Sequence, residues 1–294
     1  MHTLFSDGLK RALLILPLLA PLAAQTAPRV ATSDWTTAET LAAMGHAPAS
    51  LGDKRAYGDW VNYPPMPQTT LDSGIRFQPN LEQLYQTKPD FFIQSSWFGH
   101  LKPQFEKVAP VYEVSFASDN GIQYAQTLAG TRKIGALIGD SPAAERLIKQ
   151  TENQFARQRR QLAPYAARPL AVIQFVDARH ARIYGKTSMF NVVIGKLGLK
   201  NAWQGSSNEW GFANIALTDL AKLPPDTLLI IVKPHPRNTR AALEKSILWQ
   251  RLPFSKAANR RVLPPTWSYG ALPSMQHFAN ELAARLPSEK ETAW

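Results

Sequence analysis

At 294 residues, 45% of them hydrophobic, the chain is long enough for two lobes and too apolar to be disordered. It has no cysteine, which excludes disulfides and thiolate metal centres. Its formal net charge of +11 is spread along the chain; the densest group, Arg157-Gln158-Arg159-Arg160, falls on an expected helix without a nucleic-acid motif, so no nucleic-acid partner is expected.

Residues 1–27 read as an export signal. Lys10 and Arg11 form a short basic region, and the apolar run 12–20 is broken by Pro17 and too short to span a bilayer. Small residues at Ala23, Ala24 and Ala27 suit cleavage after Ala24 or Ala27. No later stretch is long and apolar enough for a second span, and no cysteine is present to carry a lipid anchor. The mature protein is therefore expected to diffuse freely in a periplasm.

The first lobe is expected over residues 28–139. A helix at 36–44 carries apolar Leu41, Ala42 and Met44 and stops at Gly45. Residues 70–79 read as a turn-rich loop punctuated by Gly74 and Pro79, and 90–95 and 111–116 as strands. The segment 140–165 is expected to be one linking helix. Ser141 suits its N-cap, Pro142 its first turn and Pro164 its end, with Ala144, Leu147, Ile148, Thr151, Phe155 and Leu162 at helical spacing. Its helical part, the 22 residues from Pro142 to Ala163, is about 33 Å long at 1.5 Å per residue and makes a stiff hinge, which predicts little closure on ligand. The second lobe, 166–294, is expected to hold strands at 170–176, 227–232 and 261–263. Its helices are placed at 188–197, with Gly198 beyond its end, and at 271–286.

One frame of spaced residues occurs in both lobes. Leu81, Leu84, Pro89 and Asp90 lead into Phe91-Phe92-Ile93; Leu217, Leu220, Pro225 and Asp226 lead, after Thr227, into the apolar run 228–232. Each copy fits a short amphipathic helix, a Pro-Asp turn and a buried strand. The expected fold class is α/β: two similar lobes with mostly parallel sheets, each with its own core, joined by one long α-helix, with a ligand cleft between them.

Catalytic signatures are missing. The six histidines show no metal-ligand spacing, and no G-x-S-x-G elbow, phosphate loop or dinucleotide fingerprint occurs, so no catalytic residue, metal site or cofactor is expected. An exported hydrolase, the competing class, lacks a nucleophile motif. Loop aromatics are more informative: Trp60; Trp97 and Phe98; Trp210 and Phe212 with Asn208; and Trp267 with Tyr269. Several follow expected strands, the end of an open α/β sheet where ligands bind. Arg76, in a loop between Gly74 and Pro79, offers a planar set of donors for clustered ligand oxygens.

These residues resemble the periplasmic ferric-hydroxamate siderophore-binding proteins, a group within the helix-linked substrate-binding proteins of ABC importers. The resemblance rests on Trp60 through Arg76 with Pro64-Pro65, on Pro79-Asn80-Leu81-Glu82, on Asn201-Ala202-Trp203-Gln204-Gly205, on Asn208-x-Trp210-Gly211, and on Trp267-x-Tyr269-Gly270-Ala271 followed by Met275-x-His277-Phe278. It implies a monomer that carries a ferric hydroxamate siderophore to an inner-membrane permease, with iron arriving already wrapped. Another large chelate (a different siderophore, haem or a corrinoid) is the alternative. It also implies that Arg76 donates to the hydroxamate oxygens, that Trp60, Trp210, Trp267, Tyr269 and Asn208 line the cleft, and that Asp219 docks on the importer; the first-lobe docking acid is not at its expected place, and Glu106 nearby is the candidate for it. Two departures remove hydroxyl groups: Phe98 stands where the group has a tyrosine, and Phe212 where it has a serine.

Overall fold

The computed structural model describes residues 27–288 and Trp294. Apart from Ala27, the expected export signal lies outside the described residues.

Two five-stranded sheets form the framework. The first runs, in spatial order, Leu71–Asp72, Ser50–Leu51, Val30–Thr32, Phe91–Gln94 and Val111–Glu113, all parallel. The second runs Phe212–Ala216, His180–Tyr184, Leu170–Phe175, Leu228–Val232 and Arg260–Leu263. Four of its strands run in the same direction, while His180–Tyr184 turns back antiparallel to both of its neighbours. The repeated frame now has a structural meaning. Its two strands, Phe91–Gln94 and Leu228–Val232, occupy the fourth place in their respective sheets. The turns before them differ, an α-helix at Leu81–Thr87 and a 3-10 helix at Leu217–Lys222.

The linking helix is Ser141–Leu162, 22 residues long. Its N-cap is Asp140 rather than the expected Ser141: the Asp140 carboxylate accepts from the Ala143 N–H at 2.9 Å. That carboxylate also meets the His46 Nε2 at 3.0 Å, which with the Ala143 bond holds its pKa below the ordinary value. Sequence periodicity missed the helix Tyr124–Leu137, which packs on the linking helix. Its apolar residues are diluted by Thr, Gly and Gln, so its 3.6-residue period is weak.

Each half has an apolar cluster of its own, around Phe92 and Phe105 in the first and around Ile231 and Trp249 in the second, and a larger cluster is shared between them. The shared cluster contains Val30, Leu41 and Ile93 of the first half, Leu147 and Phe155 of the linking helix, and Val172, Ile230 and Phe278 of the second. The reason is the last helix, Leu272–Arg285, which lies against both the linking helix and the first helix, Trp35–Ala43. A period-based reading places each helix on its own sheet and cannot see a helix shared by both halves.

Local caps fix the second-half wall. Ser188, fully buried, accepts from the Asn191 N–H at 3.1 Å and donates to the Gly185 carbonyl at 2.7 Å, starting the helix Met189–Lys196. Ser188→Ala is expected to lower stability by about 1–2 kcal/mol, read as a shifted midpoint with unchanged slope in urea unfolding.

Candidate functional site

A cleft of about 610 Å³ lies between the two sheets, within the range of small-molecule sites. Its first-half wall is built from segments that follow the C-terminal ends of parallel strands. Asp34 and Thr36 follow Val30–Thr32, Ser95 to Phe98 follow Phe91–Gln94, and Ser115 to Asp119 follow Val111–Glu113. Arg76 and Phe77 form the tip of a hairpin between Gly74–Ile75 and Gln78–Pro79. The expected loop at 70–79 is therefore a paired turn. It is anchored by Asp53, whose carboxylate accepts from the Arg76 N–H at 3.0 Å and whose own N–H donates to the Gly74 carbonyl at 2.7 Å.

The Arg76 side chain is held by aromatic faces. Its guanidinium carbon lies 4.0 Å from the ring centroid of Trp35, 5.0 Å from Phe77, 5.6 Å from Trp267 and 5.7 Å from Phe98. Such cation–π contacts fix the plane of the guanidinium without using its N–H groups. Trp35 is itself fixed, donating its indole N–H to the Gly52 carbonyl at 2.9 Å. Burial lowers the Arg76 pKa, and the charges of Asp34 and Asp53 oppose that shift; an arginine keeps its proton regardless. Among the described residues the guanidinium N–H groups meet no acceptor within hydrogen-bond range, so they remain available to a ligand in the cleft.

The second-half wall carries Trp210, Phe212, Trp267 and Tyr269. Tyr269 meets Trp267 and Trp210 edge-on at centroid distances of 5.0 and 5.8 Å. Trp97 reaches across from the first half and touches Trp210. Arg76, Trp97, Phe98, Trp210, Phe212, Trp267 and Tyr269 thus line one hollow. Phe98 is buried and stacked on Phe77 at 5.2 Å, so an apolar pair stands where the resemblance led to a phenol donor. Phe212 is also buried, beneath the Arg182 guanidinium at 4.7 Å.

Two expected lining residues lie elsewhere. Trp60 ends the helix Lys54–Trp60, half-exposed and outside the cleft lining. Asn208 is a turn former: its side-chain amide oxygen (Oδ1) accepts from the N–H groups of Trp210 and Phe212, both at 3.1 Å, and thereby aims those rings. The two acids proposed for docking lie on short surface helical segments. Glu106 pairs with Lys102 at 3.7 Å. Asp219 accepts from Lys222 at 2.7 Å and from the Ala216 N–H at 2.9 Å, and these bonds lower its pKa in that order.

Sequence reading missed Trp35, which lies against Arg76 behind the lining, as well as Phe77, four cleft serines (Ser95, Ser96, Ser115 and Ser118) and three cleft carboxylates, Asp34, Asp119 and Glu209. The available signal was position at or after the end of an expected strand, which applies to the serines and not to Trp35. Among the described residues no cluster of His, Cys, Asp or Glu could hold a metal ion, and no helix is long and apolar enough to cross a membrane.

The chain is 31% identical over 254 residues to the iron(3+)-hydroxamate-binding protein FhuD of Escherichia coli K12, covering 86% of this chain and 85% of that one. It is 25% identical over 236 residues to the achromobactin-binding periplasmic protein of Dickeya dadantii, covering 76% and 74%. Among solved structures it superposes with a TM-score of 0.83 on the siderophore-binding protein FhuD of Vibrio cholerae bound to Fe3+–Desferal. That match has 23% identity and covers 90% of this chain and 99% of that one. FeuA of Bacillus subtilis, a triscatecholate siderophore-binding protein, superposes at 0.67 with 17% identity over 88% and 92%. Residues 30–266 match the family described as periplasmic binding protein, and with that match, the two α/β sheets and the cleft between them, the chain belongs to that family.

Proposed function

We propose that this protein is a monomeric periplasmic carrier that binds ferric hydroxamate siderophores in the cleft and delivers them to an inner-membrane ABC importer. It binds without catalysing a reaction, and iron is cargo held by the siderophore. Residues 28–139 and 166–294 act as the two lobes, bridged by 140–165. The observation that carries this reading is the Arg76 guanidinium, surrounded by four aromatic rings with its donors free to face the cleft. A planar donor set in an aromatic hollow suits a bulky complex whose metal-bound oxygens cluster on one face. The relationship to the hydroxamate-binding protein of Escherichia coli supports the same ligand class.

Charge favours hydroxamates over other chelates. The cleft lining carries three carboxylates, Asp34, Asp119 and Glu209, against one guanidinium. A ferric ion with three singly charged hydroxamates is neutral overall, whereas ferric catecholate and citrate complexes are anions repelled by such a lining. The cleft serines supply hydroxyls in place of those absent at Phe98 and Phe212. Glu106 and Asp219 remain the proposed docking acids, one on each lobe.

Trp97, Trp210 and Trp267 make binding visible as quenching of intrinsic fluorescence. Titration is expected to give saturable quenching with a ferric trihydroxamate and at least about tenfold weaker binding of ferric tricatecholate or citrate complexes, the equivalent of about 1.4 kcal/mol of charge discrimination. Preference for the anionic complexes would overturn the hydroxamate assignment.

A further inference from the structure

Glu39 has no exposed surface, sits on the first helix, and is not part of the cleft lining. Its carboxyl crosses to the second half. One oxygen accepts from the Ala271 N–H at 2.6 Å, and the other takes the hydrogen of the Ser274 hydroxyl. Ala271 is the N-cap of the last helix and has no side chain able to cap it. The first turn of that helix needs an acceptor, and Glu39 brings one from the other half of the molecule.

The same face of the first helix holds the loop before that cap. Thr36, one turn from Glu39, donates to the Tyr269 carbonyl at 3.1 Å and accepts from the Trp267 indole N–H at 3.1 Å. Between Tyr269 and Ala271 lies Gly270, where an added Cβ would run first into the Ser274 side chain and would also stand 2.8 Å from the Glu39 carboxyl. The Glu39–Ser274 pair thus fills the space that a side chain at 270 would need.

We infer that Glu39 is a positioning residue for the ligand cleft: by capping the last helix across the lobe boundary, it sets the loop that carries Trp267 and Tyr269 opposite Arg76. The inference rests on the proposed ligand reading only where it concerns affinity. It has a charge-dependent signature. Burial raises the Glu39 pKa to about 8; the bonds from Ser274 and Ala271 oppose the shift, and the Asp34 charge adds to it. The ionisable neighbours are Asp34 at the start of the same helix and Tyr57 on the helix Lys54–Trp60. On the last helix, His277 turns to the Pro265 carbonyl and the Tyr63 ring, while Glu281 pairs with Arg285. Because the folded-state pKa lies above the ordinary 4.5, the stabilisation from Glu39 is complete below about pH 4.5 and is lost as pH rises through about 8. In the neutral range the cap is an uncharged carboxyl, which glutamine imitates in shape.

The test compares the intact wild-type chain with Glu39→Ala and Glu39→Gln. Amide hydrogen exchange over residues 267–275 is measured without ligand, and affinity for a ferric trihydroxamate is measured by tryptophan quenching at about pH 7 and about pH 9.5. Glu39→Ala is expected to speed exchange in that segment and weaken binding, each by about tenfold, the effect of losing one well-placed buried hydrogen bond. Glu39→Gln is expected to restore both at pH 7 and to remove the loss of affinity that the wild type shows at pH 9.5. Unchanged exchange in Glu39→Ala, or a wild-type pH profile in Glu39→Gln, overturns the inference. Should Glu39→Ala fail to fold, Ser274→Ala, which removes one partner only, decides on the same exchange measurement. If the wild type binds no ferric hydroxamate, the ligand reading falls, and the ligand-free exchange still decides the role of Glu39.

Discussion

Arg76→Ala is expected to weaken ferric-hydroxamate binding by at least about a hundredfold while leaving the fold intact. Two hydrogen bonds from a charged donor contribute about 1.5–3 kcal/mol each, and a loss of about 3 kcal/mol already exceeds a hundredfold. The protein itself loses little, because the guanidinium makes no hydrogen bond to the described residues and its stacking partners Trp35 and Phe98 are buried independently of it. Arg76→Lys is expected to recover only a small part of the affinity. An ammonium has the charge, but lacks the planar fork that Trp35 holds at 4.0 Å. Tryptophan-quenching titrations of the three proteins measure this directly. An affinity for Arg76→Ala within threefold or so of wild type would remove Arg76 from the binding site, since even one charged hydrogen bond is worth more than that.

The second large effect is on stability. Gly211 has φ +85, a backbone region that an L side chain enters at a cost of about 1–2 kcal/mol, and a Cβ there would stand 2.6 Å from the Ser188 Cα. Both the strain and the backbone clash must be relieved, so Gly211→Ala is expected to cost at least about 3 kcal/mol and to lower Tm by roughly 6–12 °C. Gly45 is the matched control: its φ is +86, yet nothing lies within 4 Å of its Cβ position, so Gly45→Ala should cost only the backbone strain of about 1–2 kcal/mol. Equal melting of the two variants would mean that the approach of 211 to Ser188 carries no constraint. Because Gly211 stands between Trp210 and Phe212, the same substitution is expected to displace cleft rings.

What the sequence made legible follows from the range of the interactions involved. The linking helix, the helix after Ser188 and the strand Leu170–Phe175 are governed by local periodicity and caps, and they lie within one or two residues of expectation. Arg76, Trp210, Trp267 and Tyr269 were recognisable as loop residues of uncommon chemistry and converge on one hollow. Trp35 and Glu39 were illegible for the opposite reason. They sit at the start and middle of an ordinary helix, where a tryptophan and an acid read as one more core ring and one more solvated charge. Their roles arise only when Arg76, some forty positions later, stacks on one, and Ala271, more than two hundred later, donates to the other. Asn208 shows the reverse confusion. Its neighbourhood pointed to the cleft, but its side-chain amide oxygen is engaged by the backbone N–H groups of Trp210 and Phe212.

The apolar cluster that runs from Val30 through Leu147 to Phe278 limits how the empty and loaded forms can differ. Prising the halves apart enough to wet only ~200 Å² of that interior would cost about 5 kcal/mol. The outward faces of a vacant molecule and an occupied one are then expected to look nearly alike. A receptor of the kind proposed would have no lobe angle to read; it would have to sense the cargo itself, or the few rings at the mouth, and a vacant copy would compete for the same berth.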